Sequence, residues 1–271
     1  MSIRKRKWTT GKGVEREAWV VDYVDGQGKR RLKTFSKKKQ ADEFAATAHI
    51  EVRDGTHVAD SASVTVKEAG DFWTAGSDAS GLERSTVNQY RQHMKFHIEP
   101  FIGAMLLSKL NVPIIRNLED QLRQEGRSPA MVKKVVRSLG SLLADAQERG
   151  LVARNAVRDM RGGRRKGRQA QAERRQKGKV EIGVDVPSRE EIKVIVERVA
   201  GRWRSLILTA IFTGLRASEL RGLQWNNVDF KKREIRVRQR ADRFNKIGPP
   251  KSEAGERSVP LPPIVVNKYA E

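Results

Sequence analysis

The chain has 271 residues and a formal net charge of +22, because 55 lysines and arginines outnumber 33 aspartates and glutamates. This cationic excess favours a polyanionic partner, and nucleic acid leads over an acidic membrane because phosphate neutralisation releases counterions. The absence of cysteine excludes disulfides and thiolate metal sites, and no apolar run reaches the ~18 residues of a membrane helix.

The four histidines, His49, His57, His93 and His97, do not cluster as metal ligands would, so we expect no metal and no cofactor. The amino-terminal sequence MSIRKRKW is basic and is not followed by an apolar stretch, which argues against a signal peptide. We therefore expect a cytoplasmic protein that faces nucleic acid and not a membrane. A charge that serves only solubility is the alternative.

Residues 1–58 are predicted to form a three-stranded sheet backed by a helix. The segments IRKRKW, AWVVDYV and RRLKTF supply the strands, DGQG predicts a hairpin, and Ser36 is expected to cap a helix that runs toward Asp54. The strands are rich in cations, which we assign to DNA binding: Arg4, Lys5, Arg6, Lys7, Arg30, Arg31 and Lys33. A merely solvated charged face is the alternative.

Residues 64–157 are predicted to be all helical. We expect Ser85 to cap one helix that stops at Pro100, and Ser128 with Pro129 to start another that ends at Gly150. The last helix carries one apolar stripe: Val132, Val135, Val136, Leu139, Leu142, Leu143 and Ala146. Its opposite side carries cations that we also assign to DNA binding: Lys133, Lys134 and Arg137.

Residues 158–186 have the Gly-rich, basic composition of a linker, and Arg165 and Lys166 within it are further candidate DNA contacts. The alternative to a linker that contacts DNA is a flexible tether that makes no such contact.

Beyond the linker, Ser188 and Glu191 form a capping box, and the run from Leu206 to Phe212 predicts a buried central helix. REIRVRQR alternates like a strand, and KSEAGERSVPL predicts a hairpin that turns near Ala254 and Gly255.

An arginine follows the predicted central helix directly. Gly214 suits the left-handed end of that helix, Arg216 follows two residues later, and Glu219 lies one helical turn further on the same side. A guanidinium held in this way fits the non-bridging oxygens of a phosphate and could stabilise charge that develops on phosphorus. An ordinary Arg–Glu pair at a helix start is the alternative.

Two segments resemble motifs of the tyrosine recombinases, the integrases of phages and mobile elements. TGLRASELRGLQWNNVDF resembles the first active-site motif, and PPKSEAGERSVPL resembles the hairpin with the active-site lysine, which falls at Lys251. The resemblance implies that Arg216 clamps the scissile phosphate, Glu219 orients the site and Lys251 acts as general acid. It also implies strand breakage and rejoining through a 3′-phosphotyrosine link, without ATP or metal.

The resemblance implies an α+β multidomain fold whose parts follow in a fixed order. These parts are an arm-type DNA-binding domain (1–58), a helical core-binding domain (64–157), a basic linker (158–186) and the amino-terminal portion of a catalytic domain (187–271). The implied partner is double-stranded attachment-site DNA. Self-association on DNA and help from DNA-bending or directionality factors are left open.

The chain departs from the family pattern after Lys251. The family uses a His-x-x-Arg motif and then a nucleophilic tyrosine, but all four histidines precede Arg216, and Tyr269 follows the lysine with no such motif between them. We therefore expect this chain to bind DNA without cleaving it alone. The alternative is a non-catalytic DNA-binding protein derived from an integrase, which acts as an inhibitor or decoy; RNA binding is disfavoured by the lack of an aromatic platform motif.

Overall fold

The computed structural model describes residues 1–11, 13–26, 28–55, 57–160 and 180–269. These residues form two compact units, one before and one after the gap at 161–179. Both units combine helices with small antiparallel sheets, so the α+β prediction is confirmed. The four domain ranges proposed from the sequence stay predictions.

The first unit begins with an antiparallel sheet in the order β1-β2-β3, packed on one helix. Its elements are β1 (Ser2–Thr9), β2 (Glu15–Val24), β3 (Arg30–Phe35) and α1 (Lys38–Arg53). The small core between sheet and helix contains Val21, Tyr23, Ala41 and Ala45. The predicted Ser36 cap is wrong: Lys37 occupies the N-cap position, and the Ser36 hydroxyl donates to the Gln40 side chain instead.

A helical bundle completes the first unit, joined to the sheet by a 3-10 turn at Asp60–Ala62. Its elements are α2 (Val66–Ala79), α3 (Arg84–His93), a π-helical turn (Met94–Ile98), α4 (Glu99–Ile102), α5 (Val112–Gln124), α6 (Pro129–Glu148) and α7 (Ala156–Asp159), with a further 3-10 turn at Leu107–Lys109.

Helix α6 is the centre of the bundle and forms as the sequence predicts. The Ser128 hydroxyl accepts a hydrogen bond from the Met131 N–H, Pro129 starts the helix, and Gly150 follows its end with φ of 70°. The whole predicted apolar stripe is buried. Burial of one such aliphatic side chain contributes ~1.5–3 kcal/mol, so this stripe dominates the stability of the bundle.

The bundle differs from the sequence prediction at α3. Glu83, and not Ser85, is its N-cap residue, so Ser85 lies inside the helix. Pro100 does not stop the chain's helical path, because the π-helical turn leads into α4 and places Pro100 in the first turn of that helix. A proline in a first helical turn loses no intrahelical hydrogen bond, so the backbone continues to Ile102.

The second unit packs helices on a small sheet. Its elements are α8 (Arg189–Arg198), α9 (Arg204–Thr213), α10 (Ala217–Arg221), β4 (Val228–Asp229), β5 (Glu234–Val237), β6 (Arg240–Ala241), β7 (Ile247–Gly248), β8 (Arg257–Pro260) and α11 (Pro263–Tyr269). Strands β4, β5 and β8 form one sheet, and β6 with β7 forms a separate hairpin. The predicted capping box of Ser188 and Glu191 is confirmed.

Helix α9 is less buried than its apolar sequence predicts. Leu208 is fully buried against Ile235 and Val237, but Leu206 and Phe212 are exposed. The described elements that pack on α9 lie on the Leu208 side, and this side alone is excluded from water. The prediction of a helix buried all round is therefore wrong for the residues described.

Candidate active site and nucleic-acid interface

Arg216 lies at the junction between α9 and α10. Helix α9 ends at Gly214, whose φ of 63° is left-handed, and the backbone of Arg216 is extended before α10 begins. Glycine adopts the left-handed conformation at no steric cost, which lets the chain reverse sharply here. The turn points the Arg216 side chain into solvent, where it is 73% exposed.

Glu219 is the buried anchor of this junction, with a side chain only 5% exposed. Its carboxylate accepts the Arg216 backbone N–H at 2.8 Å and the Arg216 Nη1 at 2.9 Å. It also accepts Nη1 and Nη2 of Arg257, at 3.0 and 2.9 Å. The hydrogen bonds from Arg257 are the main cause that lowers the pKa of Glu219 to about 2, against the opposing effect of burial.

Arg257 is the one residue of this cluster that the sequence analysis did not single out. It opens β8 opposite Val237 on β5, and its Nη1 also donates to the Gly255 carbonyl at 3.2 Å. A signal was present, because a buried carboxylate needs a cation or several hydrogen bonds to remain charged, and Arg257 lies in the segment that resembles the lysine hairpin. Its position 38 residues beyond Glu219 hid the pairing.

Lys251 lies in the segment between β7 and a 3-10 turn at Glu253–Gly255, and its side chain is exposed. The predicted hairpin at Ala254 and Gly255 is wrong: the observed hairpin joins β6 to β7, and β8 pairs with β5. Within the described residues, no hydrogen bond or ion pair connects Lys251 with Arg216 or Glu219.

Two glycines mark close approaches, one between the end of α10 and β6 and one within the segment that carries Lys251, because a side chain would not fit at either. A Cβ on Gly222 would lie 2.6 Å from the Arg240 carbonyl carbon and 2.7 Å from the Ala241 nitrogen. A Cβ on Gly255 would lie 2.6 Å from the Pro250 Cβ, next to Lys251. The end of α10 therefore lies directly against the β6–β7 hairpin.

The amino-terminal sheet divides its cations between two faces. Side chains alternate along each strand, so Arg4, Arg6 and Arg30 face away from α1 and are exposed. Arg4 and Arg30 flank Asp22, and the hydrogen bond from Arg30 is the main cause that lowers the pKa of Asp22. We call this side of the sheet the outer face.

The remaining four sheet cations share the α1 side, and each has an acidic partner. Lys5 and Lys7 lie 2.9 and 4.0 Å from Glu17, and Arg31 lies 2.8 Å from Asp25. The fourth is Lys33, which contacts Asp60 in the turn that leads to the bundle, at 2.9 Å.

Asp60 also contacts the bundle, because the Lys109 ammonium lies 3.5 Å from the same carboxylate oxygen. Burial opposes ionisation of Asp60, but hydrogen bonds from Lys33 and Ser108 outweigh it and lower the pKa of this carboxyl. Arg31 reaches the neighbouring Ser61 hydroxyl at 2.9 Å. The turn at Asp60–Ala62 is thus tied to the sheet on one side and to the bundle on the other.

The bundle presents its predicted cations on the outside of α6. Lys133, Lys134 and Arg137 are all exposed, opposite the buried stripe. Arg165 and Lys166 lie outside the described residues. In the described ranges, no group of three or more His, Cys, Asp or Glu side chains could hold a metal ion, and no helix is long and apolar enough to span a membrane.

Comparison with known proteins identifies relatives of the whole arrangement. The "Phage integrase family" model matches residues 188–262. A "Tyrosine recombinase XerC-like" protein of Caldanaerobacter subterraneus subsp. tengcongensis is 27% identical over 91% of this chain and 65% of its own length. The prophage integrase IntR of Escherichia coli is 28% identical over 73% of this chain and 47% of its own length. The chain therefore spans less than two thirds of either relative.

Solved structures share the fold at low sequence identity. The Tn1549 transposon integrase, solved with a circular intermediate DNA, has a TM-score of 0.57 at 16% identity, over 77% of this chain and 64% of that one. A lambda integrase dimer bound to a core site has a TM-score of 0.52 at 18% identity, over 94% of this chain and 65% of that one. The family match, which includes the motif around Arg216, assigns residues 188–262 to the phage integrase (tyrosine recombinase) family, and the chain is similar to such proteins over most of its length.

Proposed function

We propose that this chain binds double-stranded attachment-site DNA and supplies the phosphate-clamping part of a recombinase active site. The observation that carries the proposal is the exposed Arg216 guanidinium, which is fixed through both its backbone and its side chain to the buried Glu219. Because these bonds already fix the Arg216 side chain while most of its guanidinium is exposed, it can bind a phosphate without losing much further conformational freedom.

The charge arrangement suits the non-bridging oxygens of a phosphate. Arg216 spends one Nη1–H on Glu219, and the rest of its planar fork can bind two non-bridging oxygens. In strand cleavage these donors would stabilise the charge that builds on a five-coordinate phosphorus. Glu219, with its pKa lowered to about 2, stays anionic at neutral pH and keeps the guanidinium in place.

Lys251 is proposed as the general acid for the leaving 5′ oxygen. The Lys251 side chain is exposed, and its segment is folded tightly because Gly255 lies directly against Pro250. An ammonium can fill this role when bound DNA brings the leaving oxygen within hydrogen-bond distance. The cleavage step itself is assigned to a tyrosine hydroxyl, and we propose that this chain alone binds DNA without forming the covalent link.

A nicked suicide substrate tests the catalytic part directly. We expect no covalent adduct with the chain alone on a denaturing gel; an adduct would overturn this part of the proposal. In a version completed with a nucleophilic tyrosine segment, Arg216→Ala is expected to abolish cleavage and to weaken DNA binding only slightly. Unchanged cleavage would remove Arg216 from the active site.

The outer face of the sheet and the outside of α6 are the proposed DNA contacts. This proposal leaves out four of the sheet cations that the sequence assigned to DNA, because they share the face that packs on α1: Lys5, Lys7, Arg31 and Lys33. Arg6 and Lys7 make a matched pair, since they are exposed neighbours that point to opposite sides of β1. For binding to a mixed-sequence duplex, the logarithm of the association constant falls linearly with the logarithm of the salt concentration. Arg6→Gln is expected to make this slope shallower by about 0.9 for each phosphate that the side chain no longer neutralises. Lys7→Gln is the control with the same charge change, and an equal effect of both would refute the assignment to the outer face.

Self-association on DNA is part of the proposal for the complete assembly. The related lambda integrase forms a dimer on a core site and a tetramer on a Holliday junction. Analytical ultracentrifugation of this chain with and without duplex DNA measures whether it associates. DNA-bending or directionality factors would act on the same complex, and a pull-down on attachment-site DNA would detect them.

A further inference from the structure

Glu219 lies between two arginines that do not use it in the same way. Arg257 donates from Nη1 to Oε1 and from Nη2 to Oε2, so it binds both carboxylate oxygens in a fork. The side chain of Arg216 reaches only Oε1, and it does so through Nη1 alone. Arg257 therefore binds both carboxylate oxygens, whereas the Arg216 side chain contributes one hydrogen bond beside that of the Arg216 backbone N–H.

The fork of Arg257 is itself well fixed. Its side chain is 32% exposed, and Nη1 has a second acceptor in the Gly255 carbonyl. The backbone of Arg257 belongs to the β5–β8 ladder, paired with Val237. Arg216 has none of this support on its guanidinium, which extends into solvent.

A bidentate Arg–carboxylate pair is the strongest geometry open to both groups. Without Arg257, Glu219 would present both oxygens to the arginine three residues before it, and the Arg216 fork would turn inward to fill them. The donors needed for a phosphate would then be spent inside the protein. The arginine at the start of β8 therefore competes with the arginine that precedes α10 for the same carboxylate.

We propose that Arg257 is a positioning residue that occupies Glu219 so that Arg216 keeps its outward donors. This inference rests on the proposed function, which places the phosphate at those donors. In this role Arg257 acts on Glu219 and needs no contact with the DNA. It decides how much of the Arg216 guanidinium is available to a ligand.

Phenylglyoxal modification of arginines, mapped by peptide mass spectrometry, measures that availability in the intact chain. Arg257→Met removes the competing guanidinium while keeping an unbranched aliphatic stem, and modification of Arg216 is expected to slow by roughly tenfold as Glu219 captures it. Exposed Arg238 is the internal reference and should react unchanged.

Whether Arg216 reacts more slowly or faster in Arg257→Met distinguishes a positioning role of Arg257 from a purely structural one. If Arg257 only held the local fold together, its loss would loosen α10 and make Arg216 react faster, which would overturn the proposal. The double variant Arg257→Met with Glu219→Gln removes the capturing carboxylate, so fast reaction of Arg216 should return. A double variant as slow as the single variant would also overturn it. Arg257→Lys, which cannot fork, should give an intermediate rate.

A second arm of the same experiment distinguishes this inference from the function on which it rests. Addition of a mixed-sequence DNA duplex should protect Arg216 of the unmodified protein more than Arg238. If the variants behave as expected but DNA gives no selective protection, the phosphate role of Arg216 fails and the competition between the two arginines stands. If DNA protects but Arg257→Met does not slow the reaction, the competition fails and the phosphate role stands.

Discussion

The contact between the end of α10 and the β6–β7 hairpin gives a prediction whose sign depends on one distance. Gly222 has φ of −89° and ψ of 0°, a conformation that alanine also adopts, so Gly222→Ala on backbone grounds alone should stabilise the protein by ~0.4–1 kcal/mol. The added Cβ, however, would lie 2.6 Å from the backbone of Arg240. Backbone atoms cannot rotate aside as a side chain can, and overpacking of this kind costs ~1–3 kcal/mol.

The net expectation for Gly222→Ala is a loss of ~1–2 kcal/mol, with the hairpin displaced from α10. The displacement would also strain the bond from Gln239 Nε2 to the Gly222 carbonyl, which is 2.6 Å long. Hydrogen exchange measured by mass spectrometry on peptides covering 234–242 should then be ~5–30-fold faster.

Gly248→Ala is the matched control on the same hairpin. A Cβ there meets nothing within 4 Å, so exchange in the same peptides should stay near that of the unmodified protein. Slower hydrogen exchange of these peptides in Gly222→Ala would refute the close approach between Gly222 and Arg240. The alanine would then only reduce the conformational entropy of the unfolded chain.

Two further predictions concern pH. In the folded protein the pKa of Glu219 is about 2, below its ordinary value of 4.5. The ionised carboxylate should therefore stabilise the fold by an amount on the order of 3 kcal/mol above pH 4.5, and this contribution should be lost as the pH falls toward 2. The free energy of unfolding in urea should lack this pH dependence in Glu219→Gln. Burial lowers the pKa of His93 and of His97, so the unfolded chain binds more protons and the bundle should lose stability as pH falls below ~6.5. Histidine NMR titration with thermal unfolding checks this, and a bundle equally stable at pH 5 and pH 8 would contradict it.

Local features of the fold were predictable from the sequence, because the causes lie within a few residues. The cap at Ser128, the left-handed Gly214 and the short spacing between Arg216 and Glu219 are each decided by backbone geometry over one or two turns. The stripe on α6 was predictable for the same reason, since helical periodicity alone assigns it to a core.

Features that depend on distant partners were not predictable. The pairing of Glu219 with Arg257 requires β8 to cross beside α10, and no local pattern reports that crossing. The exposure of Leu206 on α9 is set by which neighbours are present and not by its own sequence. The path through Pro100 depends on a π-helical turn, which has no periodic signature of its own.

The shared carboxylate of Asp60 makes one negative charge serve two parts of the first unit. The Lys33 ammonium on the sheet and the Lys109 ammonium in the bundle both contact the same oxygen. Loss of this single charge would weaken the attachment of the turn at Asp60–Ala62 to the sheet and to the bundle together. One carboxylate therefore makes the sheet and the bundle depend on each other, although each has its own core.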